Sequence, residues 1–112
     1  MSRLKTHAFH ILAALSAGDR HGSGIARHVS AQTDGGVHLW PVTLYRTLDE
    51  LVECQFITEL ETAEERPEGA SRRRRYYRLT DDGAAALASE ATRLETIARI
   101  ARRNVEDGPW GS

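Results

Sequence analysis

Cysteine is almost missing from this sequence: Cys54 is the only one. That excludes an intrachain disulfide and any multi-cysteine metal site. Near the end of an apolar-periodic segment, it is expected to act as a buried or half-buried small hydrophobe. Long apolar runs are missing too, since nothing approaches the roughly 20 residues that span a bilayer. The amino-terminal MSRLKTHAFHILAALSAGD interrupts its short apolar stretch with histidines and lacks a signal-peptide cleavage region. A cytoplasmic chain with no membrane contact is expected. There is no Gly-rich loop of P-loop or Rossmann type, no GxSxG and no HExxH. Neither an enzyme activity nor a cofactor is expected. His7 and His10 share one helix side, but no third ligand follows at metal spacing, so no metal site is expected either.

An excess of positive charge is also lacking, since 15 Lys and Arg face 16 Asp and Glu for a formal net charge of −1. For a nucleic-acid-binding chain that balance counts against. The distribution counts for more, because phosphate contacts act within a Debye length of about 8–10 Å. Residues 72–79 read RRRRYYRL, which gathers Arg72, Arg73, Arg74, Arg75 and Arg78 in one place. Such a run is a solvated loop, a localisation or processing signal, or a surface that grips phosphate. For the last of these, Glu61, Glu64, Glu65 and Glu68 must point elsewhere.

What is present is an ordinary globular composition, 40% hydrophobic and 28% charged, at a length that suits one domain. Leu4, Ala8, Ile11, Leu12 and Leu15 predict a first helix from about Leu4 to Ala17. A second helix, with Ile25 and Val29 inward, is expected to start at an N-cap near Ser23 and to end before Gly35-Gly36. Pro41 suits the first position of a third helix, whose Leu44, Leu48, Leu51 and Val52 face the core. Strands are predicted over Phe56 to Thr62 and Arg73 to Leu79, joined through AEERPEGAS. Tyr77 and Leu79 should face inward, with Tyr76 and Arg78 on the other face. Thr80 is the expected N-cap of a last helix running to about Val105. There Leu87, Ala91, Leu94, Ala98, Ala101 and Val105 recur at heptad spacing, and Ile97 and Ile100 widen the stripe. One small chain covers only part of such a helix, so a partner helix is expected.

Helix, helix, helix, hairpin, helix is the order of a winged helix-turn-helix. The expected class is therefore mainly α with a two-stranded β-hairpin (α+β), extended by a C-terminal dimerisation helix. Residues 1–80 would form the DNA-binding domain, 81–107 the dimerisation helix and 108–112 a flexible tail. Leu87, Ala91, Leu94, Ile97, Ala98 and Ala101 are the expected dimer contacts.

Three segments carry a resemblance to a known family. VTLYRTLDELVECQFIT resembles the recognition helix and first wing strand of PadR-type transcriptional regulators. HGSGIARHV is similar to the start of that family's second helix, and RRRRYYRLTDDGAAAL to its second wing strand and the start of its last helix. The resemblance covers roughly residues 4 to 90. It implies a homodimeric regulator, most simply a repressor, that reads a pseudo-palindromic operator in double-stranded DNA and leaves room for release by a small-molecule effector.

Residue by residue, the resemblance puts Thr43, Tyr45 and Arg46 at the DNA-facing end of the recognition helix. It puts Arg73, Arg74 and Arg75 on the wing, and Ser23 where the second helix nears the backbone. Val42 stands where the family usually has Gly, and its methyl groups suit a thymine methyl. Gln55 replaces the Gly that usually ends the recognition helix; a left-handed conformation there would cost on the order of 1 kcal/mol. Arg46 either bonds guanine O6 and N7 or pairs with Asp49 or Glu50 on its own helix. Tyr45 either packs inward or reaches a phosphate. Two other functions fit the same elements: a winged-helix protein-interaction module, and a ligand-binding dimer using Trp40 or Trp110.

Overall fold

Apolar side chains at helical spacing fold the amino-terminal segment into α1, Thr6–Ser16, with Ala8, Ile11, Leu12, Ala14 and Leu15 buried. This is the first of four helices in the computed structural model, which describes residues 4–70 and 73–110. A two-residue strand β1, Arg20–His21, leads into α2, Gly22–Gln32. α3 spans Pro41–Glu53 with Pro41 in its first turn and Leu44, Leu48 and Leu51 inward. β2, Ile57–Leu60, and β3, Tyr76–Leu79, form the wing, and α4 runs from Asp81 to Asp107. One core joins α1, α2 and α3 to Ile57 and Tyr77.

The sheet has three strands in the order β1-β3-β2, all antiparallel, rather than the two-stranded hairpin expected. β3 is thus the middle strand, with Tyr77 opposite Arg20 on one side and Glu59 on the other. Both strands are shorter than expected, so Arg73, Arg74 and Arg75 precede β3 instead of lying in it. Tyr76 is buried along with Tyr77, against the expected outward face. The His21 ring, carried by β1, packs edge-on against it at 5.4 Å. Arg72 of the basic run, and Gly111 and Ser112 of the expected tail, lie outside the described residues.

Helix ends follow from local chemistry. Thr80 caps α4, its Oγ1 accepting from the Gly83 N–H at 3.0 Å, and Asp81 and Asp82 occupy the positive end of the helix dipole. Thr80 also joins α4 to the end of α3. Its hydroxyl donates to the Gln55 carbonyl at 2.6 Å, and its N–H donates to the Phe56 carbonyl at 3.1 Å. At the end of α3, the Phe56 N–H bonds the Leu51 carbonyl and the Gln55 N–H bonds the Val52 carbonyl. That is the Schellman arrangement, and it holds Gln55 at φ +64°. Cys54, one residue earlier, is exposed rather than buried, because Leu51 and Val52 take the inward positions.

α4 is about 40 Å long at 1.5 Å per residue. Only its first half lies on the core, where Ala86 is buried and Leu87 packs against the cluster. The second half stands away, which stretches the molecule to 57 × 29 × 24 Å. Among the described residues no helix is long and apolar enough to cross a membrane.

Because Gln55 is exposed and holds a positive φ, Gln55→Gly should relieve the left-handed strain without loss of packing. Stability is expected to rise by up to about 1 kcal/mol, read from the urea unfolding midpoint.

Candidate nucleic-acid interface

Some of the polar residues singled out in the sequence meet at the start of α2. His21 is the N-cap there, not Ser23: its Nδ1 accepts the Gly24 N–H at 3.0 Å. Histidine lies outside the usual set of capping residues, which explains why Ser23 looked the better candidate. Ser23 instead occupies the first turn and is exposed. It lines a shallow cleft with His21, Gly22, Tyr45, Arg73, Arg74 and Arg75. Helix N-terminal amides, hydroxyls and guanidinium groups together make a surface suited to phosphate oxygens.

Tyr45 packs on the start of α2 and keeps its hydroxyl at the cleft. Its ring covers α2 at Gly22, where an added Cβ would lie 2.6 Å from the Tyr45 hydroxyl. A side chain at position 22 would have to push the Tyr45 ring aside, and the hydroxyl sits at the cleft. Val42, 77% exposed, and Trp40, 68% exposed, project from the start of α3. Thr43 is half-buried beside them. Arg46, one turn after Val42 on α3, also lines a groove with Lys5, His7, Glu50 and Cys54. Among the described residues no ion pair ties it to Asp49 or Glu50.

The basic run divides. An Nη of Arg74 lies 3.4 Å from each ring nitrogen of His21, so its guanidinium stays at the cleft. Arg73 is exposed and shares that cleft. Arg75 turns inward to Glu59 at 2.9 Å and to Asp49 at 3.6 Å. Its guanidinium pKa is raised, first by the Glu59 hydrogen bond. Arg78 pairs with Asp19 at 2.8 Å and donates to the Glu65 carbonyl at 3.1 Å, and its pKa is raised by the Asp19 bond. The acids in these pairs lie 16 to 59 residues away in sequence, which residue spacing does not reveal.

The histidines do not gather. His7 faces the α1–α3 groove, whereas His10 lines a different cleft with His28. Among the described residues no three His, Cys, Asp or Glu side chains are placed to hold a metal ion.

A three-helix core, a short antiparallel wing and an exposed α3 beside a basic cleft define a winged helix-turn-helix domain. Residues 11–89 match the "Transcriptional regulator PadR-like family", and the chain belongs to that family. It shares its fold with a transcriptional regulator from Clostridium thermocellum (TM-score 0.71, 24% identity, covering 88% of this chain and 91% of that one). A PadR family regulator from Clostridium difficile R20291 is similar (TM-score 0.70, 22% identity, covering 88% and 96%). Bacillus subtilis PadR in complex with operator DNA gives a TM-score of 0.62 at 24% identity, covering 76% of this chain and 46% of that protein. No match is found among curated proteins.

His21 carries a pH dependence. The ring must keep Nδ1 unprotonated to cap α2, and its pKa is lowered from 6.5 by burial first, then by Arg74 and Arg27. The unfolded chain therefore binds this proton at a higher pH than the folded one. The contribution to stability is complete above about pH 6.5 and is lost as pH falls toward the folded value. His21→Asn keeps a capping side chain that does not titrate. Unfolding midpoints between about pH 7 and about pH 5 should fall more steeply for the wild type than for this variant.

Proposed function

We propose that this PadR-family chain is a homodimeric, sequence-specific DNA-binding repressor. The observation that carries this reading is the cleft at the start of α2, where Ser23, Tyr45, Arg73 and Arg74 meet beside the exposed first turn of α3. Arg73, Arg74, Ser23 and the Tyr45 hydroxyl hold phosphates and set register; such contacts carry affinity and no sequence information. Val42, Thr43 and Arg46 face base edges, with Val42 against a thymine methyl and Arg46 on guanine. Two copies present α3 to half-sites about one helical turn apart. Repression follows from occupying the operator. A small-molecule effector would act by binding one arrangement of the two subunits more tightly than the other.

The dimer reading rests on α4. Beyond Leu87, which is committed to the chain's own core, Leu94, Ile97, Ile100 and Val105 are 38–52% exposed along one helix. Ala98 and Ala101 on the same stretch leave room for close approach. A second copy of that stripe covers these side chains at heptad spacing. Ile97→Glu is expected to convert a dimer to a monomer in analytical ultracentrifugation and to abolish operator binding.

Selection of bound sequences from random duplex DNA, followed by affinity against salt, tests the DNA reading. The plot of log affinity against log salt should lose about 0.9 in slope for each of Arg73→Ala and Arg74→Ala, with base preference unchanged. Arg46→Ala should relax preference at one base position and cost about 1–3 kcal/mol there. Binding that is weak and indifferent to salt would reject the reading.

A further inference from the structure

Arg75 is bonded to acidic side chains of two other elements. Its Nε and Nη2 both donate to Glu59 Oε1, at 3.2 and 2.9 Å. Nη2 lies 3.6 Å from Asp49 Oδ1, and the guanidinium carbon sits 5.6 Å from the centre of the Tyr77 ring. These groups belong to three elements: Glu59 to β2, Asp49 to α3 and Tyr77 to β3. One planar cation therefore spans the seam between the wing and the helix that carries Val42 and Arg46.

Stability does not account for this convergence, because partly exposed ion pairs contribute little. Geometry and charge account for it better. A guanidinium is a rigid fork that fixes the direction of its partners, which an ammonium does not. Asp49 also follows Val42 by seven residues and Tyr45 by four, so it shares their side of α3. Left uncompensated there, its carboxylate would meet phosphate with like charge.

We propose that Arg75 is a positioning residue rather than a phosphate ligand. It holds the wing against α3 and masks Asp49 and Glu59 from DNA, so that Arg73 and Arg74 reach the backbone in register with the residues that face the bases. The proposal rests on the DNA-binding reading above.

Fluorescence anisotropy with a labelled duplex of the sequence selected by the wild type, across a salt series, tests it. Glu59→Gln removes a negative charge near DNA yet should weaken binding, by roughly threefold or more, because the brace loses its ionic bond to Arg75. Paired Arg75→Gln and Glu59→Gln leaves the local charge unchanged, so the salt slope should stay at the wild-type value while affinity falls about tenfold. Arg75→Lys, which keeps the charge and loses the fork, should not rescue. Amide hydrogen exchange in the wing should quicken in Glu59→Gln while the unfolding midpoint holds, separating loss of the brace from loss of the fold.

A phosphate ligand behaves otherwise. Unchanged or tighter binding by Glu59→Gln, or a slope lowered by about 0.9 in the paired variant, overturns the proposal and leaves the DNA reading standing. A wild type that binds no duplex overturns both.

Discussion

The middle position of β3 is the constraint on which the rest of this structure depends. A strand paired on both edges, with an α-helical core against one face, must bury residues that an edge strand would leave in water. Tyr77 has no exposure at all, and burial pushes its hydroxyl pKa up to about 12. Among the described residues its hydroxyl has no hydrogen-bond partner, so the ring is kept for what it fills. Fixing Tyr77 fixes both ends of its strand. Arg73, Arg74 and Arg75 come before it, beside α2 and α3, and Thr80 follows it at the start of α4. The charge proposed to face DNA and the helix proposed to make the dimer are thus a few residues apart, on opposite ends of one buried strand.

The nearly neutral charge of the chain conceals an uneven placement of its acids. Asp19 holds Arg78, and Glu59 and Asp49 hold Arg75. Those pairs tie the wing to the turn after α1, to β2 and to α3. They also withdraw three carboxylates from the field that a phosphate backbone would meet. Arg73 and Arg74 lie beside the first turn of α2, where the helix dipole has the same sign. Two cations in a confined place matter more to a polyanion than the sum over the chain.

Much of this fold was legible because it is written in local periodicity. Leu44, Leu48 and Leu51 mark α3, Pro41 its start, and Thr80 the start of α4. β1 was not legible, since two residues have no period and Arg20 and His21 become a strand only by pairing with Tyr77 and Tyr76. Tyr76 was misjudged for the same reason. Alternation along a strand tells which face a residue takes, but not that β1 and Arg66, whose guanidinium lies 5.9 Å from the Tyr76 ring, cover the second face. At the interface, the residue types were readable and their partners were not. RRRR is one run in sequence, and only distant acids separate its members. The His21 cap escaped because a histidine nitrogen does there what a serine or aspartate oxygen usually does.

The joint between α3 and α4 bears on how a dimer of this kind would be controlled. Gln55 and Phe56 end α3, and their carbonyls accept both hydrogen bonds from Thr80. Gly83 then passes so close that an added Cβ would collide with the Phe56 carbonyl and lie 2.8 Å from Leu79 Cδ1. The first turn of α4 is therefore seated on the last turn of α3, with no room for one to slide on the other. Interfaces packed this tightly move as units rather than bending by degrees. A change in the angle between two α4 helices would be delivered whole to the two α3 helices. Their spacing is what a pseudo-palindromic site measures. In such an arrangement the switch would need no moving part inside the winged-helix domain, because the joint that ends α3 is also the one that begins the helix proposed to make the dimer.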